Sequence, residues 1–344
     1  MKRFRPVLLA ASVALALAGC SSGGSDSIVA PPLSVTSAAQ PQLGTFSAGA
    51  RVSYFRPDGT VLAQGETDAL TGRASVDLGS YTGPFVARVE GGPGITYYDE
   101  ADGTDKPFGA GAYMLALVRG SAGGINTIGV TPLTHAAAAL AGVSVLSPSL
   151  GGRGPTDIDI ANGQVARMFG LPVGFDITMA PTPIKSGATT LGSDSDPSTY
   201  AAILAALAIH AKSEGSDPAA GANALAAALA ATAPGTSNTA VAKMLGSVQT
   251  LLGGGAVGGI TLVSRLALSP ALVTKLSLIA PAVMIDGTVP SPGDVGGWIK
   301  PTCPTAPTGG TGGTGGTGGT GGTGATGGSS LGSLTVGSTE CETR

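Results

Sequence analysis

INTIGVTPLTH, residues 125–135, holds the boundary between two kinds of sequence pattern. The first half, Ile125–Val130, is a candidate β-strand, whereas Thr131 and Pro132 are typical of a helix start as N-cap and first-turn proline. The alanine-rich run that follows, up to Val145, predicts a helix. The sequence therefore predicts strands before this boundary and helices after it.

Residues 44–130 alternate in polarity with a period of two, which is typical of half-buried strands. Ala74, Val76 and Leu78, for example, are separated by polar residues. Turn sequences such as Pro-Asp-Gly at 57–59 divide the runs into about six or seven short strands. This spacing predicts a small β-sandwich.

Residues 131–287 show the patterns of helices and not those of strands. The pairs Asp196-Pro197 and Asp217-Pro218 repeat the combination of N-cap and proline, and leucines recur near helical spacing among many alanines. We expect an Ala-rich α-helical bundle here, since small side chains let helices approach closely. The predicted fold class is therefore α+β multidomain.

The segment 288–344 has low complexity and contains five consecutive Gly-Gly-Thr units at 309–323. A chain without an apolar face cannot offset the conformational entropy lost on folding. The sequence predicts a disordered Gly/Thr-rich tail.

The segment 1–19 has the features of a lipoprotein signal peptide. Basic residues precede an apolar run of about eleven residues, which is too short to span a bilayer as a helix. The run ends in a lipobox made of Leu17, Ala18, Gly19 and Cys20. An ordinary signal peptide with an incidental cysteine is the alternative.

Lipidation would place a diacylglycerol on the Cys20 thiol and an acyl chain, such as palmitate, on its amino group. Several acyl chains anchor a protein stably in a bilayer. Ser21 is compatible with transfer to the outer membrane of a diderm bacterium, and segment 20–43 is predicted to be a flexible tether. The protein is thus predicted to be exported and anchored by its lipid to a cell membrane, namely the outer membrane of a diderm bacterium.

Charge and composition exclude several classes of protein. The formal net charge is −3 with 18 Lys and Arg residues, so there is no electrostatic argument for a nucleic-acid partner. Two histidines cannot supply a three-histidine zinc site. We therefore expect no nucleic acid and no cofactor other than the covalent lipid.

A set of motifs is spread over both halves of the chain: Phe46–Gly59, Thr67–Asp68, Thr71–Arg73, Leu78–Pro84, Val89–Gly92, Tyr97–Gly103, Thr131–Thr134, Ala161–Gly170 and Tyr200–Leu207. Together these motifs resemble the carboxypeptidase-regulatory-like, or transthyretin-like, β-sandwich of proteobacterial surface lipoproteins. A helical domain often follows that sandwich, and the resemblance covers about residues 44–210. The resemblance implies a non-catalytic module of the cell envelope.

A short acidic stretch is the candidate metal site. Asp99, Glu100, Asp102 and Asp105 lie close together around Gly103. Carboxylate oxygens on a turn are ligands that Ca²⁺ prefers, although the spacing differs from that of an EF-hand. The alternative is a solvated acidic loop without a metal.

Two cysteines remain once Cys20 is lipidated. An exported chain meets an oxidising compartment, so Cys303 and Cys341 are a candidate disulfide that would close the tail into a loop. Two free thiols are the alternative.

Other chemical motifs carry little weight. A Gly-x-Ser-x-Gly sequence at 328–332 lies in the tail, without the strand and helix that a nucleophile elbow requires. Glu214 follows His210 by four residues, which indicates a contact on a helix surface. We therefore expect no catalytic residues.

The overall prediction is a lipid-anchored, non-enzymatic structural or binding module. Its partners are the bilayer, through the acylated N-terminus, and an unknown protein or glycan ligand. The alternative is an envelope hydrolase or a carbohydrate-binding accessory protein. That alternative requires a pocket that collects Asp99, Glu100 or His135.

Overall fold

A computed structural model describes residues 35–120, 125–185, 189–279 and 286–298. It contains both sheets and helices, so the predicted α+β class is confirmed. The lipobox with Cys20, and the tail with Cys303 and Cys341, lie outside the described residues. No helix in the described ranges is long and apolar enough to cross a bilayer.

Nine of the strands in the described ranges come before the first helix. They are β1 (Thr36–Pro41), β2 (Arg51–Phe55), β3 (Val61–Glu66), β4 (Ala74–Asp77), β5 (Phe85–Glu90), β6 (Thr96–Asp99), β7 (Thr104–Pro107), β8 (Tyr113–Val118) and β9 (Ile125–Val130). An antiparallel sheet has the order β3-β2-β5-β8, and a three-stranded sheet has the order β4-β1-β9. Strands β6 and β7 form a separate hairpin.

The two larger sheets share one apolar cluster. Val52, Tyr54 and Phe85 from the first sheet and Ala39 and Ile128 from the second all belong to it. Val52 and Tyr54 alternate with Ser53 as the period of two predicts. Their side chains therefore lie on the face of the first sheet that contributes to the shared core.

The rest of the described chain is mostly helical. Its helices are α1 (Pro132–Leu140), α2 (Pro155–Met168), α3 (Asp196–Ser213), α4 (Pro218–Ala230), α5 (Thr239–Leu252) and α6 (Pro270–Ile279). Two-residue strands β10 (Thr190–Leu191) and β11 (Ala267–Leu268) pair in parallel. Short 3-10 segments occupy Leu262–Ser264 and Pro292–Trp298.

Strand β1 differs from the sequence prediction, which placed its residues in the flexible tether 20–43. The structure places β1 in the centre of its sheet, antiparallel to β4 and parallel to β9. Its small and polar residues carry no apolar periodicity of their own. Pairing on both sides supplies the order that the local sequence does not indicate.

The described residues 261–269 also differ from prediction, because the sequence predicts a helical bundle throughout 131–287. A single 3-10 turn and strand β11 come before α6, which begins at Pro270 as expected for a first-turn proline.

Helix α3 is buried around almost its whole circumference, from Ser198 to Ala211. A helix that is apolar on all sides belongs in a core. Its alanines allow close packing against α4 and α5, and leucines from those helices complete the cluster. The largest core of the described chain therefore surrounds α3.

Helices α1 and α2 cover the second face of the four-stranded sheet. Phe55, Val86 and Leu115 on that face pack with Ala138 of α1 and Ile158 of α2. Side chains on both faces of this sheet are thus buried, one face against the second sheet and the other against helices.

Tyr200 links α3 to the beginning of α1. The Thr131 hydroxyl accepts a hydrogen bond from the Thr134 amide at 3.2 Å and lies 2.6 Å from the Tyr200 hydroxyl. The Tyr200 hydroxyl also lies 2.9 Å from the carbonyl oxygen of Ile177, to which it donates. Phe175 packs against the Tyr200 ring in an edge-to-face geometry, with centroids 5.8 Å apart. One buried hydroxyl thus connects three segments.

Replacing Tyr200 by phenylalanine should lower the free energy of unfolding by about 1–3 kcal/mol, because Thr131 and Ile177 would keep buried polar atoms without this partner. Urea denaturation followed by circular dichroism measures the change. The matched control is Tyr113→Phe, at a partly exposed tyrosine on β8, with an expected change below about 0.5 kcal/mol. Equal effects of the two substitutions would contradict the structural role of the Tyr200 hydroxyl.

Candidate functional site

The acidic stretch predicted as a metal site forms the β6–β7 hairpin, and its four carboxylates have different surroundings. Asp99 is buried at the end of β6, where its Oδ1 accepts hydrogen bonds from the amides of Ala101 at 2.8 Å and Asp102 at 3.3 Å. Burial raises the pKa of Asp99. This side chain organises the turn.

Asp102 forms two ion pairs. Its carboxylate contacts Lys106 of β7 at 2.5 Å and Lys212 near the end of α3. Hydrogen bonds from Lys106 and then Lys212 lower the pKa of Asp102 to about 2. Lys212 also donates to the carbonyl oxygen of Ala101. The turn of the hairpin is therefore attached to α3 by charge pairing, while Asp105 is exposed on β7.

Glu100 is the most unusual group of the hairpin. Its side chain is 2% exposed, and neither carboxylate oxygen has a hydrogen-bond partner among the described residues. Desolvation by burial raises its pKa to about 8. The segment at Gly44 packs closely here: a Cβ at this position would overlap the carbonyl oxygen of Tyr98 and lie 3.2 Å from Glu100 Oε1.

These placements do not bring the four carboxylates together. Asp102 is neutralised by two lysines, Glu100 is enclosed, and Asp105 is at the surface. Among the described residues, no group of three or more His, Cys, Asp and Glu side chains is arranged to hold a metal ion. The calcium site therefore stays a prediction, because the described carboxylates do not form a set of ligands for the ion.

Both histidines lie in helices, and burial lowers the pKa of each. His135 of α1 is 4% exposed, and its Nε2 lies 3.2 Å from Oδ1 of Asn223 on α4. Glu214 pairs with Lys243 of α5 at 2.5 Å. The residues around His210 thus form a contact between helices.

A cleft of about 300 Å³ lies elsewhere, between the ends of β8 and β9, helix α2 and residues 175–179. We call it the α2 cleft. Its lining includes Arg119, Asp159, Asn162, Phe175, Asp176 and Thr178.

The polar wall of the α2 cleft is formed by Arg119, which follows β8, and by Asp159 and Asn162 of α2. Arg119 Nη1 lies 3.0 Å from Asp159 Oδ2, and this carboxylate side chain is only 12% exposed. Asn162 donates from Nδ2 to the carbonyl oxygen of Leu117 at 3.3 Å. Its Oδ1 is buried and has no hydrogen-bond partner among the described residues. The wall therefore combines a paired charge with an amide group whose oxygen is enclosed by the protein.

The opposite wall, residues 175–179, is held in place by backbone contacts. Asp176 Oδ1 accepts hydrogen bonds from the amide and the hydroxyl of Thr178, at 2.9 and 2.6 Å. The Gly129 amide of β9 donates to the Thr178 carbonyl oxygen at 2.8 Å. A Cβ at Gly129 would lie 2.5 Å from the carbonyl oxygen of Met179, so the close approach of this wall requires glycine. The cleft is therefore built from well-connected segments.

The α2 cleft could not be recognised from the sequence. Its polar residues come from three distant parts of the chain and form no local motif. One available signal was the helical pattern of α2, where Ile158, Ala161 and Val165 are buried. Asp159 and Asn162, three residues apart, lie on one adjoining face of that helix.

Comparisons with known proteins give no further guidance, since no family model, curated protein or solved structure matches this chain. The function must be inferred from its own residues.

Glu100 should make the stability of the protein depend on pH. Between about pH 4.5 and 8 the unfolded chain releases this proton while the folded chain retains it, so the free energy of unfolding falls as pH rises. Glu100→Gln removes this pH-dependent contribution to the free energy of unfolding. We expect its stability relative to the wild type to increase between pH 4 and pH 8 by on the order of 4 kcal/mol.

Urea denaturation of both proteins across this pH range tests the prediction, because contributions from the histidines are common to both. Glu66→Gln on β3, where the side chain is exposed, is the matched control and should show no pH-dependent difference. A constant difference between Glu100→Gln and the wild type at all pH values would contradict the prediction.

Proposed function

We propose that this chain is a lipid-anchored protein of the bacterial cell envelope that acts as a non-enzymatic binding module. The observation that carries the proposal is the lipobox that ends at Cys20, preceded by a basic segment and a short apolar run. Its location is the outer membrane of a diderm bacterium, with the bilayer as one partner and a protein or glycan ligand as the other.

The folded part is, in this proposal, a carboxypeptidase-regulatory-like β-sandwich followed by an Ala-rich helical bundle. The apolar cluster shared by the two larger sheets supports the sandwich. The burial of α3 among α4, α5 and α6 supports the bundle. The contacts of α1 and α2 with the sheet indicate that the two parts stabilise each other.

A binding function is favoured over catalysis because the carboxylates of the α2 cleft already have partners within the protein. Asp159 pairs with Arg119, and Asp176 accepts bonds from its own turn. A hydrolase would use Asp99, Glu100 or His135 in a pocket, and none of them lines the α2 cleft. Paired side chains of this kind orient a ligand more readily than they transfer protons.

Cys20→Ser should release the protein from the membrane fraction, since the serine hydroxyl cannot take the place of the thiol in lipidation. Fractionation of cells and metabolic labelling with palmitate measure this. Cys303→Ser is the matched control and should retain both membrane association and label.

Unchanged membrane retention of Cys20→Ser, without a lipid label, would overturn the anchor. Purified full-length protein should show no turnover with glycoside, ester and peptide substrates. Hydrolysis that depends on Asp99, Glu100 or His135 would favour the enzymatic alternative.

A further inference from the structure

We propose that the α2 cleft binds a neutral pyranose sugar, as a single sugar unit or as the end of a glycan. This inference rests on the proposed binding function and names its ligand class.

The size of the cleft matches a small ligand. Its volume of about 300 Å³ lies at the lower end of the range for pockets that enclose small molecules. The walls are formed by β8, β9, helix α2 and residues 175–179, with backbone bonds between the last segment and β9. A cleft held in this way loses little conformational entropy when a ligand enters.

The polar groups of the cleft are of mixed type, as the hydroxyl groups of a sugar require. Arg119 supplies donors, and Asp159 and Asp176 supply carboxylate oxygens. A sugar hydroxyl both donates and accepts, so one ring can bond to a charged donor and to a carboxylate at once.

Apolar side chains complete the lining. Phe175, Ile128 and Met179 lie in the same cleft, and the position of the Phe175 ring is fixed by its contact with Tyr200. The C–H groups of a pyranose form an apolar face beside a polar edge. The combination of aromatic, aliphatic and polar side chains in the α2 cleft fits such a two-sided ligand.

The charge of the cleft disfavours anionic ligands. The Arg119 guanidinium is balanced by Asp159, and Asp176 adds a second carboxylate. These three side chains together carry a net negative charge, which disfavours phosphate and other anions.

The test uses the full-length protein in detergent micelles and four probe sugars: glucose, galactose, mannose and N-acetylglucosamine. Ligand-observed saturation-transfer NMR should detect at least one of them, with a dissociation constant of about 1 mM, as expected for a ligand of this size. Inorganic phosphate serves as the anionic probe and should not compete.

Two substitutions locate the site. Asn162→Leu removes a polar amide group from the lining and should weaken binding about tenfold. Asp176→Asn keeps the size of the side chain but removes the charge, and should weaken binding about fivefold. Asp58→Asn is the matched control, because Asp58 accepts the same two bonds from Thr60 that Asp176 accepts from Thr178. It should bind like the wild type.

Thermal melts check that each variant is folded, and Asp176→Asn keeps the test valid if Asn162→Leu fails to fold. Absence of saturation transfer to all four sugars would overturn the proposal. So would equal binding by the wild type and both cleft variants, or competition by phosphate. Membrane retention and palmitate labelling are independent of these outcomes, so a failed ligand class is distinguishable from a failed anchor.

Discussion

The hydroxyl group of Tyr200 is the contact on which the arrangement around the α2 cleft depends. It bonds to the N-cap of α1 and to the backbone of Ile177, while the Tyr200 ring supports Phe175 from the side. Burial raises the pKa of this hydroxyl, so it remains a neutral donor. A polar group left unpaired at such depth costs more than one hydrogen bond contributes. The start of α1 and one wall of the cleft are therefore fixed together.

Glu100, unlike Tyr200, is a buried polar group without hydrogen-bond partners among the described residues. Its carboxyl group is enclosed without a hydrogen-bond partner, close to the tightly packed backbone at Gly44, while the neighbouring Asp102 pairs with two lysines. A charged Glu100 would be costly there, so the folded protein keeps the acid protonated at neutral pH. Glu100 and Asp102, two residues apart, thus differ widely in pKa. The pKa of Glu100 is raised by burial, whereas that of Asp102 is lowered by its lysine partners. Sequence spacing could not distinguish a cation site from this arrangement.

Local chemistry allowed much of the fold to be predicted. Thr131 and Pro132 start α1 as expected, and Asp217 caps α4 through a bond to the amide of Ala220. Strand β1 could not be recognised, because it contains no large apolar residue and its order comes from pairing with strands distant in sequence. The α2 cleft could not be predicted for a related reason. Arg119 and Asp159 become neighbours only when the sheet packs on α2.

A weak sugar site can serve a lipid-anchored protein because the anchor changes the effective concentration of binding sites. Copies held in one membrane plane face the same polymeric ligand, so engagement of one copy raises the chance that a second copy binds nearby. Each site then needs only millimolar affinity, which a small, pre-formed cleft can supply. The paired charges of Arg119 and Asp159 suit this role, since they offer hydrogen bonds without drawing in mobile ions. In the proposed function, the anchor and the sugar site therefore act together, and loss of either one should weaken attachment to the ligand.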